Sequence, residues 1–201
     1  VAATEVPTGN TYDKYSSTHR IEQKLMDGFF QHLDAALPVA SVRSILEVGV
    51  GEAIVARRVQ ARYPRARLVG IDLPDPALAL HWAEGGVRGV FADIHHLPFP
   101  DASFDLVLGI EVLEHVADPA AAVHELSRIA SGHLVVSVPR EPIWRLANLA
   151  RGKYIGALGN TPGHINHWST RNFVGLIEQK FTVASVTTPF PWTMVSATSQ
   201  P

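Results

Sequence analysis

Apolar residues along the 201-residue chain recur with two different periods, and the switches between them lay out a succession of elements. Near the start, Ile21, Leu25, Phe29, Leu33 and Leu37 fall at helical spacing, with Met26 and Phe30 widening the stripe. That pattern predicts an amphipathic helix that ends before Pro38 and caps the core. Short apolar runs then alternate with helical stretches: strand 45–49, helix 53–63, strand 67–72, helix 75–84, strand 89–92, strand 105–109, helix 119–130 and strand 132–138. Asp118-Pro119 marks one helix start clearly, an acid at the cap and a proline in the first turn. Alternation of this kind predicts a mainly parallel sheet covered on both faces.

The rhythm breaks between Pro139 and Ser169, where four glycines and three prolines surround one short helical piece, IWRLANLA. An insertion of this length in a compact domain is usually a functional lid. A helix at 170–179 follows, then FTVASVTTP and WTMVSAT, two β-like runs separated by Phe190-Pro191, which read as an antiparallel hairpin closing the sheet. The expectation is one α/β domain over 1–201, doubly wound around a mainly parallel sheet of seven strands, with a cap region at 1–40 and a lid at 139–169.

Composition narrows the functional classes. A formal net charge of −2 gives no basic excess for generalised nucleic-acid binding, so a small or neutral partner fits better. With no cysteine, disulfides, thiolate metal sites and a cysteine nucleophile are excluded. No apolar run approaches the roughly 20 residues that stable membrane insertion needs. The opening residues lack a signal peptide's basic and apolar regions, and a cytoplasmic location is the expectation.

Candidate chemistry starts at ILEVGVGEA, where a buried strand ends in Glu-x-Gly-x-Gly. Gly49 and Gly51 remove the Cβ atoms that would hold the backbone off a ligand, and they permit positive φ in a strand-to-helix turn. The next apolar run, LVGID, ends in Asp72, which a parallel α/β unit places beside that turn, where it can accept from the hydroxyls of a ribose. The pair reads as a nucleoside site. Asp72 and Asp93 could also be helix caps, a reading that stays open at this point.

Together with FADIHHLPFPDASFDLVLGIEVLEHV and the terminal strand pair, these motifs resemble the class I S-adenosylmethionine-dependent methyltransferases, over most of the chain. The LPFPDASFDLV and EVLEHV phrases resemble the small-molecule branch that includes ubiquinone and menaquinone biosynthesis enzymes. The resemblance implies that Gly49 and Gly51 approach the cofactor's aminoacyl and ribose parts, with Glu47 orienting the turn. It implies that Asp72 clamps the ribose diol, that Asp93 accepts from the adenine amino group, and that Leu73 and Ile94 supply apolar faces to the ring. Glu111 would then stand near the methionine end. Ala53 occupies the place where many members have a third glycine, which disfavours a nicotinamide-dependent oxidoreductase, the main alternative reading.

Methyl transfer needs an acceptor held in line with the sulfonium and shielded from water. Read as a helix, EVLEHV puts His115 on the same face as Glu111, and an imidazole that titrates near neutral pH is the candidate general base. An inert helix histidine is the competing reading. The lid adds His164, Asn166, His167 and Trp168, and the lead-in adds Tyr12, Tyr15 and His19; in the resemblance both segments fold over the pocket and choose the substrate. His164 and His167 could instead be metal ligands with a third histidine, but no carboxylate accompanies them in their phrase, and no metal is expected. IWRLANLARGKY, with Arg145, Arg151 and Lys153, reads first as a lid helix and second as a homodimer interface, with a weak membrane-contacting face as a further use. The functional expectation is O- or C-methylation of a small organic acceptor, with a non-catalytic cofactor-binding subunit as a further alternative.

Overall fold

The computed structural model describes residues 20–200. A seven-stranded sheet runs β3-β2-β1-β4-β5-β7-β6. Its strands are β1 (Ser44–Val48), β2 (Arg67–Asp72), β3 (Arg88–Phe91), β4 (Phe104–Ile110), β5 (Ala130–Pro139), β6 (Phe181–Thr187) and β7 (Trp192–Ser199). The first five are parallel to one another, while β7 runs antiparallel to both β5 and β6. The expected fold class and closing hairpin are therefore observed, with most element ends within two residues of their predicted places.

Each strand segregates its side chains by the two-residue period of a pleated strand. In β4, Val107 joins one apolar cluster, whereas Leu106, Leu108 and Ile110 join the other; Phe104 falls with Val107 because the register shifts between Phe104 and Leu106. The first cluster is completed by α4 (Pro119–Ile129) through Val123, Leu126 and Ile129, and by α6 (Thr170–Ile177) through Phe173, Leu176 and Ile177. The second is completed by Phe29 and Leu33 of α1 (Arg20–Ala36), by Val55, Ala56 and Val59 of α2 (Ile54–Arg62), and by Leu78 and Trp82 of α3 (Pro76–Gly85). Helices thus cover both faces. Asp118 caps α4 by accepting from the Ala121 N–H, with Pro119 in the first turn.

The chain leaves β1 toward β2 on one side and reaches β4 on the other. That reversal opens a crevice at the carboxyl ends of β1 and β4, the place where α/β sheets of this kind bind ligands. The insertion after β5 carries α5 (Ile143–Ala150) and a single 3-10 turn at Ile155–Ala157.

One expected element is absent. Residues 111–116 form irregular turns instead of a helix, with Glu111 at φ 59°, outside the right-handed region that residues within a helix occupy. The apolar spacing of Val112, Leu113 and Val116 imitates a helical face. It is satisfied instead by packing under the sheet edge, where Leu113 and Val116 are buried in the first cluster.

Candidate active site

The turn after β1 carries three left-handed residues in five positions, Gly49 (φ 67°), Gly51 (φ 47°) and Ala53 (φ 62°). The two glycines answer different demands. A Cβ on Gly49 would lie 2.4 Å from Val112 Cγ2, so this glycine is required by the segment after β4 as well as by its own φ. A Cβ on Gly51 would meet open space, which leaves room for a ligand to approach the backbone there. Ala53 adopts the left-handed conformation without a glycine's freedom, and it begins α2 fully buried.

Asp72, at the end of β2, holds this turn. Its Oδ2 accepts from the Gly51 N–H at 2.8 Å, and its Oδ1 accepts from the Leu73 N–H at 2.8 Å. It does not cap α3; Asp75 does, accepting from the Ala77 N–H. Asp93 makes a local turn, accepting from the His95 N–H at 2.9 Å with His95 Nδ1 2.7 Å away. These contacts hold its carboxyl below the usual carboxylate range. Ile94 is buried in the first cluster, and Leu73 is 36% exposed at the crevice side of β2.

Trp82 belongs to this region and was not among the sequence candidates. Its indole N–H donates to the Gly51 carbonyl at 2.8 Å, and its ring fills the space left by Gly89, where a Cβ would lie 1.8 Å from the indole. The tryptophan of α3 therefore fastens the turn from the side opposite Asp72. Glu47 is buried at the carboxyl end of β1, and its Oε2 has no hydrogen-bond partner among the described residues. Burial, with the Asp72 carboxylate adding to it, raises the Glu47 pKa well above the ordinary value. Asp72 is raised too, chiefly by burial, against the opposing pull of its two backbone donors. Two carboxyl groups disfavoured as anions around an open turn suit a cationic ligand.

The second half of the site begins one strand away. The Glu111 N–H donates to the Ser137 carbonyl, and its carboxylate accepts from Ser137 Oγ at 3.1 Å and from Trp192 Nε1 at 2.6 Å. Because 111–116 is not helical, His115 does not share a helix face with Glu111 as expected. It lies instead beside the lid, with Nδ1 2.9 Å from the Gly163 carbonyl and Nε2 4.0 Å from Glu114 Oε1. His164 packs edge-on against His115, ring centroids 4.9 Å apart, and stacks on Trp144 at 5.9 Å. Trp144 in turn approaches Trp192 at 5.8 Å, and Trp192 meets Phe29 of α1 at 5.0 Å.

Asn166 locks this arrangement, its side-chain amide donating to the carbonyls of Leu113 and Val116 while its backbone N–H and that of Ile165 donate to the Glu114 carbonyl. The structure brings His115, His164 and Glu111 to one end of β4 but turns His167 and Trp168 away. His167 is exposed and pairs with Asn160, and Trp168 packs on Phe173 beside the first cluster. Tyr12, Tyr15 and His19 lie outside the described residues.

Residues 46–136 match the model of a methyltransferase domain. An uncharacterised methyltransferase of Mycobacterium tuberculosis H37Rv is 29% identical over 138 residues, covering 61% of this chain and 70% of that protein. A ubiquinone biosynthesis O-methyltransferase of Alkalilimnicola ehrlichii is 37% identical over 103 residues, 47% of this chain and 41% of its own length. A solved S-adenosylmethionine-dependent methyltransferase of Aquifex aeolicus superposes with a TM-score of 0.71 at 14% identity, covering 90% of this chain and 94% of that one.

In sequence and in fold the chain is similar to the S-adenosylmethionine-dependent methyltransferases. Its cofactor is S-adenosylmethionine, and the nicotinamide reading is not favoured. The residues present suit that cofactor: the chain offers open space over Gly51, a buried Glu47 oxygen with no hydrogen-bond partner among the described residues, and two carboxyl groups that gain from a nearby cation. Among the described residues no helix is long and apolar enough to cross a membrane.

Proposed function

We propose that the protein methylates a small organic acceptor at oxygen or carbon. The observation that carries this reading is the convergence of Glu111, His115 and His164 with Trp144 and Trp192 at the end of β4, joined to the cofactor-side turn through Val112 and Gly49. A flat net charge supports a small acceptor over a nucleic acid. The O-methyltransferase relative supports oxygen as the methylated atom.

S-adenosylmethionine supplies a methyl group on a sulfonium, open to in-line attack. In this reading the chain contributes position and shielding. Asp72 accepts from the ribose hydroxyls with the lone pairs its backbone donors leave over, and Asp93 uses Oδ2, since Oδ1 is engaged by His95. Leu73 and Ile94 bound the adenine, and Glu47 and Glu111 sit toward the aminoacyl end. His115 donates Nδ1–H to the Gly163 carbonyl, which leaves Nε2 as the basic nitrogen to take a proton from an acceptor hydroxyl. His164, with the ring of Trp144 behind it, flanks the acceptor, while His167 and Trp168 fasten the lid.

The testing experiment titrates the protein with S-adenosylhomocysteine and NADH, then screens phenols, quinol precursors, sugars and fatty acids by cofactor turnover. Micromolar affinity for the homocysteine analogue and turnover with one acceptor class is the expected result. Tight cofactor binding with persistent inactivity across the panel would favour a non-catalytic partner subunit instead.

A further inference from the structure

We propose that Glu114, His115 and His164 form a binding site for one divalent transition-metal ion, Zn²⁺ or Mn²⁺ by the chemistry of the ligands. The site goes beyond the methyl-transfer reading and replaces the sequence-based expectation of no metal.

The three side chains come from two segments that the sequence separates by about fifty positions, the turn after β4 and the lid. One ligand atom from each lies within 4.8 Å of the others. Two imidazoles and one carboxylate are a donor set suited to first-row divalent cations. Metal–ligand bonds of about 2.0–2.2 Å in a tetrahedral site bring ligand atoms to roughly 3.4 Å, so no pair has to close by more than roughly 1.4 Å. Small rotations shared among the three side chains supply that movement, and the His115 side chain, 45% exposed, has room for its part.

The surroundings already prepare the ligands. A carbonyl oxygen only accepts, so the contact between His115 Nδ1 and Gly163 places the proton on Nδ1 and leaves the Nε2 lone pair on the Glu114 side. A carbonyl behind one imidazole nitrogen is the usual outer-shell support for a metal-bound histidine. Glu114 is 1% exposed and His164 6%, so two of the three ligands stand away from bulk water. Asn166 and the paired backbone donors fix the turn that carries Glu114 and His115. The exposed side of His115 leaves further coordination positions facing outward, where an acceptor oxygen could enter. In metal-free protein His115 Nε2 is the proposed base; with the ion bound it is a ligand, and coordination acidifies the acceptor hydroxyl, whose proton passes to water.

The test dialyses the protein against a chelator and titrates it with Zn²⁺ and with Mn²⁺ by calorimetry and, for Mn²⁺, by electron paramagnetic resonance. One equivalent should bind with a dissociation constant of about 10 µM or tighter, about −7 kcal/mol. Glu114→Gln and His115→Ala should each weaken binding at least about tenfold while S-adenosylhomocysteine affinity stays within about twofold, which reports that the fold is intact. Wild-type protein that binds neither ion below about 100 µM, or a His115→Ala variant that binds as tightly as wild type, would overturn the proposal. Turnover by chelated protein separates the two ideas: activity without metal binding leaves the methyl-transfer reading standing and removes only the ion.

Discussion

The two halves of the site are built in opposite ways. The cofactor side is made of consecutive strand ends, and its key bonds run from Asp72 to Gly51 across 21 positions and from Trp82 to Gly51 across 31. Much of its geometry is backbone: left-handed turn residues and main-chain donors. The acceptor side is made of side chains from distant parts of the chain, with Trp192 meeting Glu111 across 81 positions, Asn166 meeting Leu113 across 53 and His115 meeting Gly163 across 48. A backbone-built half tolerates few changes of shape. A side-chain-built half can be rebuilt by changing the lid, which lets one cofactor seat serve many acceptors.

The sharpest way to break this contrast is at the contact between the halves. Gly49→Ala should cost about 3 kcal/mol of stability, because it adds a left-handed penalty to a clash with Val112. Adding Val112→Ala should recover the clash but not the penalty, and chemical denaturation of the single and double variants would read the difference. On the acceptor side, His115→Ala should lower turnover about a hundredfold and leave the affinity for S-adenosylhomocysteine within about twofold. Equal losses in both would join the halves that the contrast separates. On the cofactor side, Asp72→Ala should weaken cofactor binding about tenfold or more, measured by calorimetry. An unchanged affinity would remove Asp72 from the ribose.

A gentler test uses pH. Burial raises the folded-state pKa of Glu47 and of Asp72, so each contributes stability at pH below the ordinary carboxylate range near 4 and loses it as pH rises through the raised value. Cofactor affinity should move the other way, falling as acid neutralises the two groups. Comparing wild type with Glu47→Gln across pH 4 to 8, in melting temperature and in affinity, should show the two slopes crossing in sign. The smallest effect is expected at Ala53→Gly, where relief of the left-handed conformation and loss of a buried methyl of about 0.8 kcal/mol nearly cancel.

The same division decided what could be read from the amino acids alone. Strand and helix periods, the Asp118-Pro119 cap and the Glu-x-Gly-x-Gly turn are local signals, and they place the strand ends and the glycine turn almost entirely. Even there, Trp82 was missed, because its partner is a carbonyl in another element and its space depends on Gly89 in β3. The acceptor half was misread where tertiary contacts override local pattern. EVLEHV has helical spacing, but Glu111 turns left-handed and Asn166 takes the carbonyls of Leu113 and Val116. Glu114 and His164 meet only in the folded chain, one on the turn after β4 and the other on the lid, so the lid's own phrase carries no carboxylate that signals the cluster.

The aromatic side chains have one more consequence. Trp82 donates to the glycine turn, Trp144 stacks on His164 and Trp192 donates to Glu111, while the chain's fourth indole, Trp168, lies against Phe173. Intrinsic fluorescence excited at the indole band therefore comes largely from the two halves of the site themselves. Emission from the unlabelled protein is a direct optical gauge of occupancy; replacing Trp82 with phenylalanine silences one half, and replacing Trp144 and Trp192 together silences the other.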